Sequence, residues 1–335
     1  MISPKLLNYE DKIFVAGHSG MVGSSIVRVF KKNGYHNLLT VDRQKLNLLD
    51  PLSVESFFKK YQPKIVIIAA TKVGGIEANN SYPVDFLMDN IKIQNNVIEN
   101  AWKYRSRRLL FLGSSCIYPK FSNQPIKEDS LLTSSLEPTN EWYAIAKIAG
   151  LKLCEALRIQ YGFDAITLMP TNLYGPGDNY HPKHSHVLPA MIRRFSNAVK
   201  EGESTLTCWG SGAPYREFLY VDDLAEACLF ALNRWNPSFE NAPKKLDGTP
   251  LTFLNVGTGI DIRIHELASK IAKLIGYKGN IEWDNSKPDG TPRKQLDVSH
   301  LLNLGWEPSI SLEEGLRNTI KDYLEQLDNN TLRLN

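Results

Sequence analysis

Short unbroken apolar runs alternate along the first half of the chain with longer stretches whose apolar residues recur every three or four positions. The runs are "KIFVAG" (12–17), "NLLTVD" (37–42), "KIVIIAA" (64–70), "RLLFLGS" and "DAITLMP" (164–170). An apolar run of that length without alternation predicts a strand covered on both faces. Between the runs, "MVGSSIVRVFKKNG" predicts a helix ending at Gly34 and "PLSVESFFKKY" a helix opened by proline. Two long helices are predicted near 86–104 and 142–161. Strands alternating with helices predict an α/β fold whose parallel, doubly wound sheet is of the Rossmann type. Past residue 172 the pattern is less regular. The reading there is a smaller α/β domain over 173–335, laid on the sheet's carboxyl edge. Segments near 217–233 and 252–257 are expected to return to the domain formed by 1–172.

Composition narrows the class without changing the architecture. At 42% hydrophobic and 22% charged residues, the chain reads as a soluble globular protein with one large domain or two ordinary ones. A net charge of +3 with both signs interspersed predicts neither nucleic acid nor a membrane surface as partner. The longest apolar runs are too short to span a bilayer, and "MISPKLLNYEDK" lacks the apolar core of a signal peptide. Cys116, Cys154, Cys208 and Cys228 lie far apart with no CxxC pair. That spacing predicts no structural metal and no disulfide framework, and points to a reducing, cytoplasmic setting.

Candidate chemistry begins directly after the first strand, where "VAGHSGMVGSSIV" places Gly17, Gly20 and Gly23. Glycines there allow a tight turn, close approach of backbone to a pyrophosphate, and close packing of helix on strand, while the helix start offers unpaired N–H donors. In a strand–turn–helix setting this marks 1–172 as an NAD(P)-binding domain. The second strand ends in "TVDRQ". Asp42 suits a ribose 2′-hydroxyl and hence NAD; Arg43 suits a 2′-phosphate and hence NADP; the motif leaves both open. Further on, "YAIAK" puts Tyr143 and Lys147 on one face of a helix. Carbonyl reduction delivers hydride to carbon and leaves an oxygen that needs a proton. A phenol near pKa ~10 is too weak an acid alone, and a neighbouring ammonium stabilises its phenolate. Ser114, in "SSCIYP" at the end of the fourth strand, stands where ligands of such sheets bind and is suited to hold the substrate oxygen.

GxxGxxG, the strand-end serine and YxxxK together resemble the extended short-chain dehydrogenase/reductase superfamily. Longer blocks, among them "AGHSGMVGSSI", "AATKVGGIEANN", "LGSSCIYP", "LEPTNEWYAIAKIAG", "MPTNLYGPGDN", "HSHVLPA" and "KPDGTPRK", resemble the GDP-L-fucose synthase family in order over nearly the whole chain. That resemblance implies epimerisation of GDP-4-keto-6-deoxy-D-mannose at C3 and C5, then reduction at C4 with NADPH, NADH remaining open. It implies an acid–base pair of Cys116 and His186, the latter chosen over His181 and His184 by the motif frame. It implies cofactor contacts at Gly17, Ser19, Gly20, Met21, Val22, Gly23, Asp42, Arg43, Leu48, Ala69, Ala70, Lys147, Pro170, Asn172, Leu173 and His186. Arg194, Trp209, Arg216 and Asp289 match residues that hold the GDP-sugar, and superfamily members commonly form homodimers through two long helices. The chain departs from the family where Ser19 replaces a frequent basic residue and Trp142 replaces a usual proline. Trp142 keeps open a related GDP-4-keto-heptose C4 reductase. A sugar-nucleotide dehydratase would need an Asp–Glu pair where Ser115 and Cys116 stand. A non-catalytic dinucleotide-binding protein would have no use for the Ser–Tyr–Lys set.

Overall fold

A computed structural model of the chain describes residues 5–334 apart from Pro288 and the side chain of Ile76. In chain order the first half runs β1 (Ile13–Ala16), α1 (Met21–Lys32), β2 (Leu38–Leu39), α2 (Pro51–Tyr61), β3 (Ile65–Ile68), α3 (Ile76–Ser81), α4 (Pro83–Lys103), β4 (Arg108–Leu112), α5 (Glu141–Tyr161) and β5 (Ala165–Pro170). The second half runs β6 (Asn172–Tyr174), α6 (Val187–Glu201), β7 (Thr205–Trp209), β8 (Tyr215–Tyr220), α7 (Val221–Arg234), β9 (Phe253–Val256), β10 (Asp261–Arg263), α8 (Ile264–Ile275), β11 (Asn280–Asp284), β12 (Arg293–Lys294), α9 (Ser299–Asn303) and α10 (Leu312–Asp328).

Six strands form one parallel sheet in the order β2-β1-β3-β4-β5-β9. The unbroken apolar runs follow from its double cover. Alternate residues of a strand face opposite sides. Ile13, Val15, Ile65 and Ile67 pack with Ile26, Phe30, Leu224 and Leu232 under α1 and α7. Phe14, Ala16, Val66 and Ile68 pack with Phe57, Phe58, Val97 and Cys154 under α2, α4 and α5. Both faces are covered, so every residue of β1 and β3 is buried and apolar. A second core gathers Tyr174, Ile192, Phe195, Phe218, Ile271, Leu316 and Tyr323 from the later elements. Two smaller sheets serve that unit: β10-β8-β12, with β6 also on β8, and the parallel pair β11-β7.

One element is shorter than its pattern. The run over 37–42 predicts six residues of strand, yet only Leu38 and Leu39 pair, with Ile13 and Phe14. β2 is the sheet edge with a neighbour on one side only. The chain leaves it at Asp42, whose carbonyl accepts the N–H groups of Lys45 at 2.9 Å and Leu46 at 3.0 Å. The strand order reverses between β1 and β3, so a crevice opens at their carboxyl ends.

Candidate active site

The glycine loop sits in that crevice. Gly17 has φ +85°, and a Cβ there would lie 2.6 Å from the Ala70 backbone. The loop after β1 is thus pressed against Ala69 and Ala70 at the end of β3. A Cβ on Gly23 would lie 2.1 Å from the Gly17 carbonyl, so α1 can begin this close to β1 only on glycine. Gly20 has ordinary backbone, and a Cβ there would make only ordinary contacts, 3.5 Å from the Gly17 carbonyl oxygen and 3.9 Å from Arg333 Nη1. No side chain caps α1. The amides at Met21 and Val22 therefore have no side-chain acceptor and lie beside exposed Ser19, a cradle that fits a dinucleotide pyrophosphate. His18 Nε2 lies 3.4 Å from the Asp42 carboxylate, so Asp42 does not face a ligand alone, and exposed Arg43 follows it. Leu48 is partly buried nearby, its carbonyl accepting Asn96 Nδ2 at 2.8 Å. Pro170 ends β5, and Asn172 and Leu173 open β6, with Asn172 Nδ2 tied to the Glu217 carbonyl at 2.7 Å.

One strand-end turn organises the reacting groups. Ser114 leaves β4 and accepts the Cys116 N–H on its Oγ at 3.2 Å, folding Ser115–Ile117 into a single turn of 3₁₀ helix. Tyr143 is buried beside this turn. Burial and then the charge of Cys116 push its phenol well up, against hydrogen bonds with the Thr71 and Ser114 hydroxyls. Lys147, one turn along α5, is also buried and donates to the Leu112 carbonyl at 2.8 Å. Its Nζ lies 4.8 Å from the Phe111 ring centre and 5.8 Å from that of Tyr143. Burial pushes Lys147 down to about 7.

Cys116 differs from the other three cysteines. Those are buried; burial pushes Cys154 up to about 12 and raises Cys208 and Cys228 as well. The Cys116 sulfur is partly open and accepts Asn140 Nδ2 at 3.4 Å and Lys294 Nζ at 3.3 Å. His186 takes extended backbone at the start of α6. Crowding by protein, then the charge of Lys294, pushes its imidazole below the ordinary range, although solvent still reaches the residue. Lys294 is thus hydrogen-bonded to Cys116 and within electrostatic reach of His186. His181 and His184 stack on each other with ring centres 4.2 Å apart.

The four residues matched to a GDP-sugar also fall together. Trp209 ends β7 and is 61% exposed. Asp289 accepts the Ser211 N–H at 2.8 Å and its hydroxyl at 2.7 Å, two residues beyond Trp209. Arg216 donates to the Asp289 carbonyl at 3.4 Å, and Arg194 donates to the Thr207 carbonyl on β7. Burial lowers the Arg216 pKa, and the charges of Cys116 and Asp289 oppose that shift. Arg216 is therefore within electrostatic reach of both this cluster and the sulfur.

Lys294, Asn140 and Thr71 were not singled out by sequence. All three do lie in quoted blocks, "KPDGTPRK", "LEPTNEWYAIAKIAG" and "AATKVGGIEANN", which was the available signal. Among the described residues no group of three or more His, Cys, Asp or Glu side chains is placed to hold a metal ion, and no helix is long and apolar enough to cross a membrane.

A parallel sheet with a glycine cradle at its reversal and a Ser–Tyr–Lys set at the next strand end defines a dinucleotide-dependent enzyme of the extended short-chain type. The chain belongs to the NAD dependent epimerase/dehydratase family, whose model matches residues 13–241. Within it, the chain is 54% identical to GDP-L-fucose synthase 1 of Arabidopsis thaliana, over 95% of this chain and 94% of that one. It is 50% identical to GDP-L-fucose synthase of Escherichia coli, over 95% and 98%. Among solved structures it is similar to GDP-mannoheptose C4 reductase from Campylobacter jejuni with NADP bound, at TM-score 0.83 and 33% identity, over 95% and 99%.

Proposed function

We propose that the protein converts GDP-4-keto-6-deoxy-D-mannose to GDP-L-fucose by 3,5-epimerisation and NADPH-dependent 4-reduction. One observation carries this reading. The turn after β4 presents the Ser114 oxygen and the Cys116 sulfur two residues apart beside Tyr143, with Lys294 and Asn140 on the sulfur. Plain carbonyl reduction needs the serine, tyrosine and lysine, and has no task for a hydrogen-bonded thiol. The whole-length likeness to GDP-L-fucose synthases supports the same product.

The chemistry then divides by residue. Ser114 and Tyr143 hold the C4 ketone oxygen, and the ketone acidifies the protons on C3 and C5. Cys116 takes those protons as a thiolate whose charge Lys294 faces before the transfer, His186 gives protons from the other side, and the pair resets by proton exchange with solvent between the two carbons. Both carbons invert through an enolate held at the same oxygen. When bound, NADPH supplies hydride to C4. Tyr143 gives its proton to the C4 oxygen, and the Lys147 ammonium stabilises the phenolate left behind. Trp209, Arg194, Arg216 and Asp289 hold the nucleotide end, the arginines suiting its phosphates. Arg43, and the pairing of Asp42 with His18, support NADPH over NADH.

A second reading, C4 reduction of a GDP-4-keto-heptose, is favoured by Trp142, which is 41% exposed and directly precedes Tyr143. One experiment separates the two. The purified protein is incubated with GDP-4-keto-6-deoxy-D-mannose in D₂O, with NADPH or NADH in separate tubes, and the product is read by NMR. GDP-L-fucose carrying deuterium at C3 and C5, formed faster with NADPH, is expected. A sugar reduced at C4 without inversion would overturn the fucose reading and favour the heptose one.

We also read the chain as two domains divided near residue 172, the first for the cofactor and the second for the GDP-sugar. The segments near 217–233 and 252–257 belong with the first, which the pairing of β9 with β5 supports. Four free cysteines support a reducing, cytoplasmic setting. The protein is expected to be a homodimer. α4 and α5 pack side by side and leave Val84 (64%), Met88 (46%) and Ile145 (38%) exposed. Light scattering should give twice the chain mass, and Met88→Asp with Ile145→Asp should give a monomer. A monomeric wild type would contradict this.

A further inference from the structure

The end of the chain returns to the glycine loop. α10 stops at Asp328, and Asn330 takes a left-handed φ of 53°. The Thr331 N–H closes on the Gln326 carbonyl at 2.9 Å, which turns the tail away from the helix axis. Leu332 packs on the second core. Arg333 is then fixed twice: its carbonyl accepts the Tyr180 N–H at 2.9 Å, and its Nη1 donates to the Gly177 carbonyl at 3.3 Å. Gly177 is itself tied to α10, its N–H donating to Asp322 at 3.0 Å. The segment it belongs to reaches the start of α1, where a Cβ on Gly177 would lie 4.0 Å from the Met21 Cα. The guanidinium arrives at the cradle: a Cβ built on Gly20 would lie 3.9 Å from Arg333 Nη1.

The cradle has no cation of its own. No lysine or arginine occurs from Gly17 to Val27, Arg28 is paired with Asp222 at 2.6 Å, and His18 lies against Asp42. A dinucleotide pyrophosphate carries two negative charges, and backbone amides alone would meet them. We propose that Arg333 is a pyrophosphate-binding residue, and that the C-terminal tail is a clasp by which the second core closes on the cofactor loop. This rests on the reading of the glycine loop as the cofactor site. The competing role for the guanidinium is to neutralise buried Asp178, which feels its charge.

The test is direct binding of NADPH and of NADH to the full-length protein, without sugar substrate, for wild type, Arg333→Gln and Arg333→Lys. A charge-assisted hydrogen bond to phosphate is worth about tenfold or more in affinity. Arg333→Gln should lose about that factor for both dinucleotides alike, because the pyrophosphate is common to them. Arg333→Lys should recover part of it. Affinity for GDP-mannose, an unreactive probe of the sugar-nucleotide site, should stay unchanged in both variants. Unchanged dinucleotide binding by Arg333→Gln would overturn the proposal and leave the Asp178 role. A loss confined to NADPH would also overturn it, by placing the guanidinium on the 2′-phosphate. A wild type that binds neither dinucleotide would overturn the cofactor reading itself, a result distinguishable from the other two.

Discussion

Tyr143→Phe will slow reduction at C4 by orders of magnitude and leave hydrogen exchange at C3 and C5 running. The substitution removes one oxygen and no carbon, so the buried ring keeps its packing against Ala78 and Phe86. Lys147 keeps its place too, because its contacts are the Leu112 carbonyl and the aromatic rings rather than the phenol oxygen. What is lost is the proton for the C4 oxygen. A positioned general acid contributes about 10²- to 10⁴-fold, and the rate of NADPH oxidation should fall within that range. Ser114 remains on the ketone, so exchange into D₂O continues and deuterium accumulates in unreduced sugar. The pH profile of the wild type completes the prediction. Tyr143 is pushed up and stays protonated across the accessible range, so it sets no limb. Lys147 is pushed down by burial to about 7, so its ammonium is present below that pH and is lost as pH rises through it. kcat/KM for reduction, which reports the free enzyme, should therefore fall above about pH 7. The limb of kcat should lie higher, since a bound anionic cofactor favours the ammonium. Full reduction by Tyr143→Phe would remove the tyrosine from its role.

Most of the scaffold was legible because it rests on local signals. The apolar runs had to be continuous once both faces of the sheet were covered, and α1, α2 and α4 start at Gly20, at Pro51 after Asp50, which accepts the Leu52 N–H, and at Pro83. The Ser–Tyr–Lys set was legible because it needs only a strand end and a helical spacing of four. The sulfur's surroundings were not. Lys294 is 178 residues from Cys116, and it arrives by β12 pairing with β8 at Arg216, a register no local pattern encodes. Asn140 lies three residues before Tyr143, and its use depends on the turn at Ser114. Arg333 was silent for the same reason: its place follows from how α10 docks, not from the residues around it. His18 changed the meaning of "TVDRQ" by pairing with Asp42 across two loops. The motif alone set a carboxylate against an arginine; the fold gives that carboxylate a partner.

Cys116→Ser will remove the inversions and leave the reduction. Serine puts a smaller hydroxyl where Asn140 and Lys294 donate to the sulfur, and that hydroxyl does not ionise near neutral pH as readily as a thiol does. Exchange of the C3 and C5 protons should fall by about 10²- to 10⁴-fold, the usual contribution of a positioned base. Ser114, Tyr143 and Lys147 are untouched, so the chain should still consume NADPH and release a sugar reduced at C4 with both neighbouring centres uninverted. His186→Gln separates the two halves of the acid–base pair. With the sulfur in place a proton still leaves, and with no acid on the opposite side it returns to the face it left. Deuterium should then enter at C3 and C5 without inversion. Lys294→Met should slow exchange without abolishing it, because it removes charge stabilisation and not the base. NMR of the recovered sugars distinguishes all three variants. Normal inversion by Cys116→Ser would return that cysteine to the role of packing, and would leave Lys294 and Asn140 hydrogen-bonded to a sulfur with no chemistry to perform.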